Sequence, residues 1–168
     1  MMTCIERLRS FFDEYGVKYE VQEHRDVFTM QEVAAELHEK GAHVAKVVIA
    51  WAEGKLIMLV LPAPAHVDFD QVKDMLGTKH ARPAREDEFK FLFPDCNVGA
   101  MPPFGNLYTI PVYVQRSLTE EPYLVFQAGS HRKTMKIAMK DYLKLASPTV
   151  GEFVMHAQPA GAAAGEER

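Results

Sequence analysis

Residues 43–51, HVAKVVIAW, place a lysine inside a run that otherwise has the composition of an interior β-strand. Alternation directs Val44, Val48 and Ala50 to the same face as Lys46, and the opposite face is also apolar. A strand with two apolar faces is typical of a sheet that is covered on both sides. Burying an ammonium group costs several kcal/mol unless it is paired or neutralised. Lys46 therefore reaches a cavity, pairs with a carboxylate or extends to water, unless the strand assignment is wrong.

Helices and strands mix along the chain without the regular βα alternation of a doubly wound sheet. Capping boxes at 3–6 and 29–32 predict two helix starts, and a short turn at 52–54 predicts an antiparallel hairpin. Further strands are predicted at 107–114, 122–129 and 134–139. The predicted fold class is α+β with a largely antiparallel sheet.

The chain of 168 residues predicts a single domain over 1–156 and a disordered tail over 157–168, which is rich in alanine and glycine. No apolar run approaches the roughly 20 residues that span a bilayer. Two cysteines and a start without a secretion signal predict a cytoplasmic protein. The net charge of −4 argues against gripping long nucleic acid through phosphates, but not against holding one end of it.

A glycine- and proline-rich loop, VGAMPPFG, covers 98–105. Gly99 and Gly105 permit backbone geometries that other residues rarely adopt, and they let a ligand approach the main chain. Consecutive amides in such a loop can bind one oxygen and form an oxyanion hole. A tight crossover between two elements explains the same composition.

A second glycine turn, AGSHRK, covers 128–133 between two predicted strands. Gly129 and Ser130 offer further backbone donors, and His131 offers a group that titrates near neutral pH. An ordinary hairpin turn with an exposed histidine is the alternative interpretation, and the composition alone favours it.

Other groups of residues in the sequence give weaker evidence for a functional site. His38 and His43 resemble a zinc-protease pair, but the spacing has one extra residue and Gly41 interrupts the helix that would align them. Cys96 has no orienting partner that is visible in the sequence, so a thiol nucleophile is a minor alternative. The sequence contains two local positive clusters. One consists of Lys79, His80, Arg82 and Arg85, and the other of Arg132 and Lys133. Each is either a solvated surface or a contact for phosphates.

Together, three stretches resemble the YbaK/ProX family of aminoacyl-tRNA deacylases, relatives of the editing domain inserted in bacterial prolyl-tRNA synthetases. They are Lys46 in AKVVIAW, the GxxxP loop 99–103 with the following Phe104-Gly105, and 129–131 before TMKIAM. The resemblance extends from about residue 5 to residue 146. It implies hydrolysis of the ester that joins a wrong amino acid to the 3′ end of tRNA. It also implies an α+β fold with a mixed, mostly antiparallel, barrel-like sheet flanked by helices.

The resemblance also implies residue roles. Lys46 engages the terminal adenosine or the aminoacyl group, and Gly99 with its loop stabilises the oxyanion. His131 is a candidate general base, although the family implies that the ribose hydroxyl of the substrate takes this part. The implied substrate-binding residues are Phe28, Met30, Val47, Ala100, Met101, Pro102, Pro103, Phe104, Gly105, Gly129 and Ser130.

The expected partner is the aminoacyl-tRNA 3′ end, with an aminoacyl-tRNA synthetase as a second candidate. We expect no cofactor, metal, membrane or DNA to be required. A small amino acid is the expected substrate, with alanine favoured and cysteine, serine and threonine open, because apolar pockets discriminate weakly between close homologues. A non-catalytic module that binds tRNA or a synthetase is the alternative function. The sequence does not specify the tRNA, the oligomeric state or the role of the tail.

Overall fold

The computed structural model describes residues 2–24, 29–37 and 39–155. Within these ranges the α-helices are α1 (Cys4–Glu14), α2 (Met30–Leu37), α3 (Phe69–Leu76), α4 (Glu86–Phe89), α5 (Arg116–Thr119) and α6 (Met139–Ala146). The strands are β1 (Glu20–Glu23), β2 (Ala45–Ala52), β3 (Lys55–Pro62), β4 (Ala81–Pro83), β5 (Val112–Gln115), β6 (Tyr123–Ser130), β7 (Lys133–Ala138) and β8 (Thr149–Gly151). The predicted α+β class is confirmed. No α-helix among the described residues is long and apolar enough to cross a lipid bilayer.

The strands form two sheets. A five-stranded sheet has the order β4-β2-β3-β5-β8, and a three-stranded sheet has the order β1-β7-β6. Pairing is antiparallel except for β3 with β5 and β5 with β8, so the predicted mixed, mostly antiparallel arrangement is confirmed. A parallel bridge from Val44 to Val125 connects the two sheets. The described strands do not close into a barrel.

Strand β2 is covered on both faces, as its apolar pattern predicts. Ala45 and Ile49 belong to the larger core cluster, whereas Ala50 belongs to a second cluster on the other face. The turn to β3 consists of Glu53 and Gly54, both with positive φ (51° and 78°). This two-residue turn matches the right-handed twist of the flanking strands.

Local capping explains where the helices begin. Thr3 Oγ1 accepts a hydrogen bond from Glu6 N at 3.2 Å, and Glu6 Oε1 accepts one from Thr3 N at 2.8 Å. Thr29 and Glu32 make the equivalent pair at the start of α2, with distances of 3.1 and 3.0 Å. Both predicted capping boxes are therefore confirmed, and each satisfies amides that a helix leaves without internal partners.

The predicted strand at 107–114 is wrong in its first half. Residues Gly105–Tyr108 form a 3₁₀ turn, and β5 begins only at Val112. Thr109 has a φ of 60°, and Pro111 has no N–H to donate to a neighbouring strand. The sequence analysis also missed the short elements α5 and β8. The predicted tail at 157–168 lies outside the described residues.

Candidate functional site

A cavity of about 310 Å³ lies at the start of β2, where five chain segments meet. The segments are the start of α2, the start of β2, the stretch after β3, the loop before the 3₁₀ turn, and the middle of β6. The lining residues are Thr29, Met30, Gln31, Ala45, Lys46, Val47, Ala63, His66, Gly99, Met101, Phe126 and Gln127. The cavity brings together five of the residues singled out in the sequence: Met30, Lys46, Val47, Gly99 and Met101.

Lys46 enters the cavity from the interior of the five-stranded sheet. It is opposite Leu61 in the β2–β3 register, and its neighbours Val44 and Ala45 are buried. Lys46 itself is half-buried, because its side chain borders the cavity instead of the packed core. A cation in this position acts through a lower effective dielectric than one on the open surface. It can attract a phosphate, a carbonyl oxygen or a developing oxyanion.

Gly99 contributes main chain to the cavity. Its φ is +86°, a conformation that L side chains rarely adopt, and a Cβ there would lie 3.5 Å from His131 Cε1. Gly99 N donates to Met101 Sδ at 3.3 Å, whereas Ala100 N donates to Asn97 O at 3.0 Å. A thioether sulfur is a weak acceptor. The Gly99 amide can therefore exchange that contact for a stronger acceptor on a ligand.

Gly129 holds this loop through backbone hydrogen bonds. Its N–H donates to Ala100 O and its carbonyl accepts from Asn97 N, both at 2.8 Å. Its φ is +85°, and a Cβ at this position would lie 2.4 Å from Cys4 Cβ. Gly129 does not line the cavity. Its place between the loop and α1 requires a residue without a side chain.

His131 and Ser130 also lie outside the cavity lining. His131 Nε2 donates to Val98 O at 3.0 Å, so the ring supports the residue before Gly99. Ser130 Oγ accepts from Arg132 N at 3.1 Å and stabilises the turn between β6 and β7. The structure thus places His131 against the loop that carries Gly99, and Ser130 in its own turn between β6 and β7.

The remaining predicted residues of the loop face the core. Ala100, Phe104 and Gly105 are buried, and Phe104 makes edge contacts with the rings of Phe12 and Tyr142. A Cβ on Gly105 would lie 2.6 Å from Ile110 O. Pro102 and Pro103 are also buried, and neither lines the cavity. Phe28 lies outside the described residues.

Gln127 is the most informative cavity residue that the sequence analysis missed. It is 4% exposed, and its Nε2 has no hydrogen-bond partner among the described residues. Buried polar groups are nearly always satisfied, so an exception at a cavity wall is typical of ligand recognition. A polar residue within the apolar strand YLVFQAG is the same signal that identifies Lys46, and it could have identified Gln127. Other lining residues that were missed are Thr29, Gln31, Ala45, Ala63, His66 and Phe126.

The predicted basic cluster lies elsewhere. Lys79, His80 and Arg82 border a cleft of about 600 Å³ beside Trp51, at the opposite end of β2 from Lys46. Arg82 donates to both carboxylate oxygens of Glu88 at 3.0 and 2.9 Å. These hydrogen bonds, with one from Arg85 N, lower the pKa of Glu88 to about 2. Part of the positive charge in this cleft is therefore already paired.

The structure does not support Cys96 as a nucleophile at the cavity. Its thiol contacts Cys4, Asp95 and Tyr108, and it is not among the lining residues. A hydrogen bond with Cys4, together with burial, raises the pKa of the Cys96 thiol well above its usual range. Among the described residues, Cys4, Asp95 and Cys96 form the group with ligand atoms close enough to hold a metal ion.

Comparisons with known proteins agree on the fold. Residues 24–145 match the model of the aminoacyl-tRNA editing domain family, which is most of the chain. The comparison with curated proteins found no match.

Solved structures that resemble the chain include the hypothetical protein APE2540, with a TM-score of 0.80 and 19% identity over 89% of this chain and all of that one. A candidate trans-editing enzyme for prolyl tRNA synthetase matches with a TM-score of 0.79 and 18% identity, over 93% of this chain and 99% of the other. The TM-scores show that the fold is shared.

Proposed function

Because the chain belongs to the aminoacyl-tRNA editing domain family, we propose that it is a trans-acting deacylase. It hydrolyses the ester that joins a wrongly attached small amino acid to the 3′ end of a tRNA. The observation that carries this proposal is the convergence of Lys46, the Gly99 amide and Gln127 on one cavity.

The proposed chemistry needs no nucleophilic side chain. An aminoacyl ester is activated, so placing a water or the adjacent ribose hydroxyl near the carbonyl supplies much of the acceleration. The Gly99 N–H donates to the oxygen that becomes negative, and Lys46 stabilises the same charge or the neighbouring phosphate. His131 acts through its hydrogen bond to Val98 O, which holds the loop that carries Gly99.

The cavity walls favour a small aliphatic side chain. The apolar surface of the cavity comes from Met30, Val47, Met101 and Phe126. Ala45 has a short side chain and takes up little of the space. At about 310 Å³ the cavity lies at the lower end of the usual range for ligand sites, roughly 300–1,000 Å³. Alanine is the proposed amino acid. Cysteine, serine and threonine are the competitors, since a hydroxyl or thiol adds little volume.

A panel of mischarged tRNAs tests the proposal. Purified protein is mixed with tRNAs that carry labelled alanine, cysteine, serine, threonine or a cognate proline, and the ester remaining is followed over time. We expect alanyl ester to be cleaved fastest and correctly charged tRNA to persist. If no ester is cleaved faster than in buffer, the deacylase proposal fails. Tight binding of the same tRNAs without turnover would favour the non-catalytic binding module.

Recruitment is tested in the same assay. Addition of a prolyl-tRNA synthetase to the mixture raises the rate if the proposed synthetase partner delivers the mischarged tRNA. An unchanged rate would show that the protein captures its substrate from solution without that partner.

A further inference from the structure

The two cysteines of the chain meet beside the loop that carries Gly99. Cys4 occupies the first turn of α1 and is 2% exposed, whereas Cys96 is half-buried in the loop before Gly99. The two sulfurs and a carboxylate oxygen of Asp95 all lie within 4.8 Å of one another. Tyr108 Oη lies 3.4 Å from Cys96 Sγ and 3.8 Å from Cys4 Sγ. Nothing in the fold requires the two cysteines of this chain to be neighbours, so their proximity is the observation to explain.

We propose that Cys4 and Cys96 form a reversible intramolecular disulfide under peroxide, and that this bond changes the loop which carries Gly99. The effect on catalysis rests on the proposed deacylase function, whereas the bond itself does not. Cysteine pairs of this kind in reducing compartments are usually transient and redox-sensing.

The surroundings suit a two-step oxidation. Cys4, the thiol with the lowered pKa, gives its proton to the nearby Asp95 carboxylate, and its sulfur attacks hydrogen peroxide. The O–O bond breaks, Cys4 becomes a sulfenic acid, and the released hydroxide takes up the proton and leaves as water. Cys96 Sγ then attacks the Cys4 sulfur, the S–O bond breaks, and the hydroxide leaves with the Cys96 proton as a second water. Both thiols are oxidised by one peroxide.

Cys4 is suited to the first step. The hydrogen bond from Cys96 lowers the pKa of the Cys4 thiol, with smaller contributions from Tyr108 and Arg7. Cys4 also lies at the N-terminal end of a helix, where a thiolate is favoured. The carboxylate of Asp95 is held in place by Arg7 Nε and Tyr108 Oη, each at 3.1 Å.

The same two contacts argue against a metal at this cluster. Arg7 and Tyr108 already donate to the Asp95 oxygens, and the guanidinium places a positive charge where a cation would bind. Within the part of the chain that the structure describes, three ligand atoms come close together here. A structural zinc site takes four, so the arrangement fits two thiols better than it fits a zinc ion.

The bond would reach the cavity through the backbone. A disulfide holds its sulfurs at about 2.05 Å, so the two side chains must approach from their present separation. Cys4 has little room to shift by itself, because Gly129 packs directly against its side chain. Asn97 and Ala100 are hydrogen-bonded to Gly129 on either side of Gly99. Closure therefore moves residues 96–100, and with them the Gly99 amide.

Mass spectrometry of the full chain tests the bond without any activity assay. Protein treated with hydrogen peroxide and digested without reductant is expected to yield one peptide pair linked through Cys4 and Cys96, and intact mass should fall by two hydrogen atoms. Dithiothreitol should reverse both changes. Oxidation to a sulfinic acid at Cys4, or a disulfide between two copies of the chain, would overturn the proposal.

Matched variants separate the bond from general oxidation. Cys96→Ser and Cys4→Ser should each abolish the linked peptide pair. Hydrogen–deuterium exchange should show altered protection of amides 97–101 in oxidised wild type and none in peroxide-treated Cys96→Ser. Unchanged exchange in a fully linked protein would refute the effect on the loop.

Deacylation adds a separate readout. In an active protein we expect oxidation to slow ester cleavage by about 10-fold or more, since small displacements of catalytic groups are costly, and dithiothreitol to restore it. Full activity in the linked protein would refute the switch. A protein that cleaves no ester in either state would refute the proposed function alone, because the mass and exchange measurements do not depend on it.

Discussion

Two polar side chains on otherwise apolar strands give the cavity its chemical character. Lys46 on β2 and Gln127 on β6 come from different sheets and border the same space. Each is costly to bury, the lysine because of its charge and the glutamine because its amide nitrogen has no partner within the described part of the chain. A bound substrate that accepts a hydrogen bond from Gln127 Nε2 would remove the cost of its burial, and Lys46 borders the same space as a cation, which together favour a ligand site here.

We predict that Lys46→Met removes most deacylase activity while the fold is kept. The methionine fills similar volume but cannot stabilise a developing negative charge, so the rate should fall by about 10²-fold or more. Circular dichroism and the unfolding midpoint should stay close to wild type. Lys55→Met, at an exposed lysine on the neighbouring strand β3, is the control and should leave the rate unchanged. Equal activity in Lys46→Met and wild type would remove Lys46 from the mechanism.

For Gln127 we predict opposite effects on activity and stability. Gln127→Met removes a buried amide donor that has no hydrogen-bond partner among the residues described, so the unfolding free energy should stay equal or rise while KM for mischarged tRNA rises. Gln115 offers a matched comparison, because it is also buried on a strand but is satisfied by Glu152 and Phe153 N at 2.7 and 2.8 Å.

Gln115→Met should lose about 1–3 kcal/mol of stability and keep its activity, since the buried Phe153 N–H would be left unpaired. Both quantities are measured by urea unfolding and steady-state deacylation. A loss of stability in Gln127→Met as large as that in Gln115→Met would show that Gln127 is a structural residue and not a binding one.

At the scale of elements, the loop before the 3₁₀ turn is held by the end of β6. Gly129 accepts a backbone hydrogen bond from Asn97 and donates one to Ala100, and the ring of His131 donates one to Val98 O. Such loops are positioned by a rigid scaffold while they carry functional backbone groups. The glycine turn at 128–133 therefore holds the loop that carries Gly99 in place, and it does not form part of the cavity wall.

Gly129→Ala should destabilise the protein and weaken activity together. The added Cβ would meet Cys4 Cβ at 2.4 Å, and the φ of +85° is strained for alanine, so we expect a loss of about 2 kcal/mol or more. Gly54→Ala has a similar φ of +78° but open space around it, and it should lose only about 1 kcal/mol. Thermal unfolding of both variants checks the difference, and equal losses would show that strain alone decides.

At the scale of the whole molecule, Glu39 connects the two sheets. Its carboxylate accepts from His43 Nε2 at 2.7 Å, just before β2, and from Lys136 Nζ at 3.2 Å, on β7. The hydrogen bond from His43, with a second from Lys136, lowers the pKa of Glu39. A carboxyl whose pKa is lower in the folded state stabilises the protein above its unfolded pKa. That stabilisation is lost as pH falls through the folded value.

The corresponding prediction concerns acid stability. Glu39→Gln should lower unfolding free energy by about 1–2 kcal/mol near neutral pH, where the native carboxylate is charged. The difference from wild type should shrink as pH falls below the unfolded pKa of a glutamate and through the lowered folded pKa of Glu39, because the wild-type group then becomes protonated as well. Urea unfolding at several pH values measures it, with the exposed Glu14→Gln as control. A difference that does not change with pH would mean that charge at Glu39 is unimportant.

The sequence by itself determined what depends on near neighbours along the chain. The capping residues Thr3 and Thr29, the turn at 53–54 and the apolar alternation of β2 all follow from local hydrogen bonding and side-chain chemistry. That alternation also identified Lys46 as an unusual residue, but it left open whether the side chain enters a cavity, pairs with a carboxylate or extends to water. The glycine and proline content identified the loop at 98–105, and the resemblance to the deacylase family added the role expected of Gly99.

Tertiary structure alone decided which residues meet across the fold. Gln127 and His66 border the cavity, Gly129 packs on Cys4, and Cys4 approaches Cys96 because strands and loops far apart in sequence pack together. The parallel pairing of β3 with β5 and the split into two sheets are of the same kind. Such contacts depend on register and packing between distant segments, and the periodicity of one segment carries no information about which partner it will find.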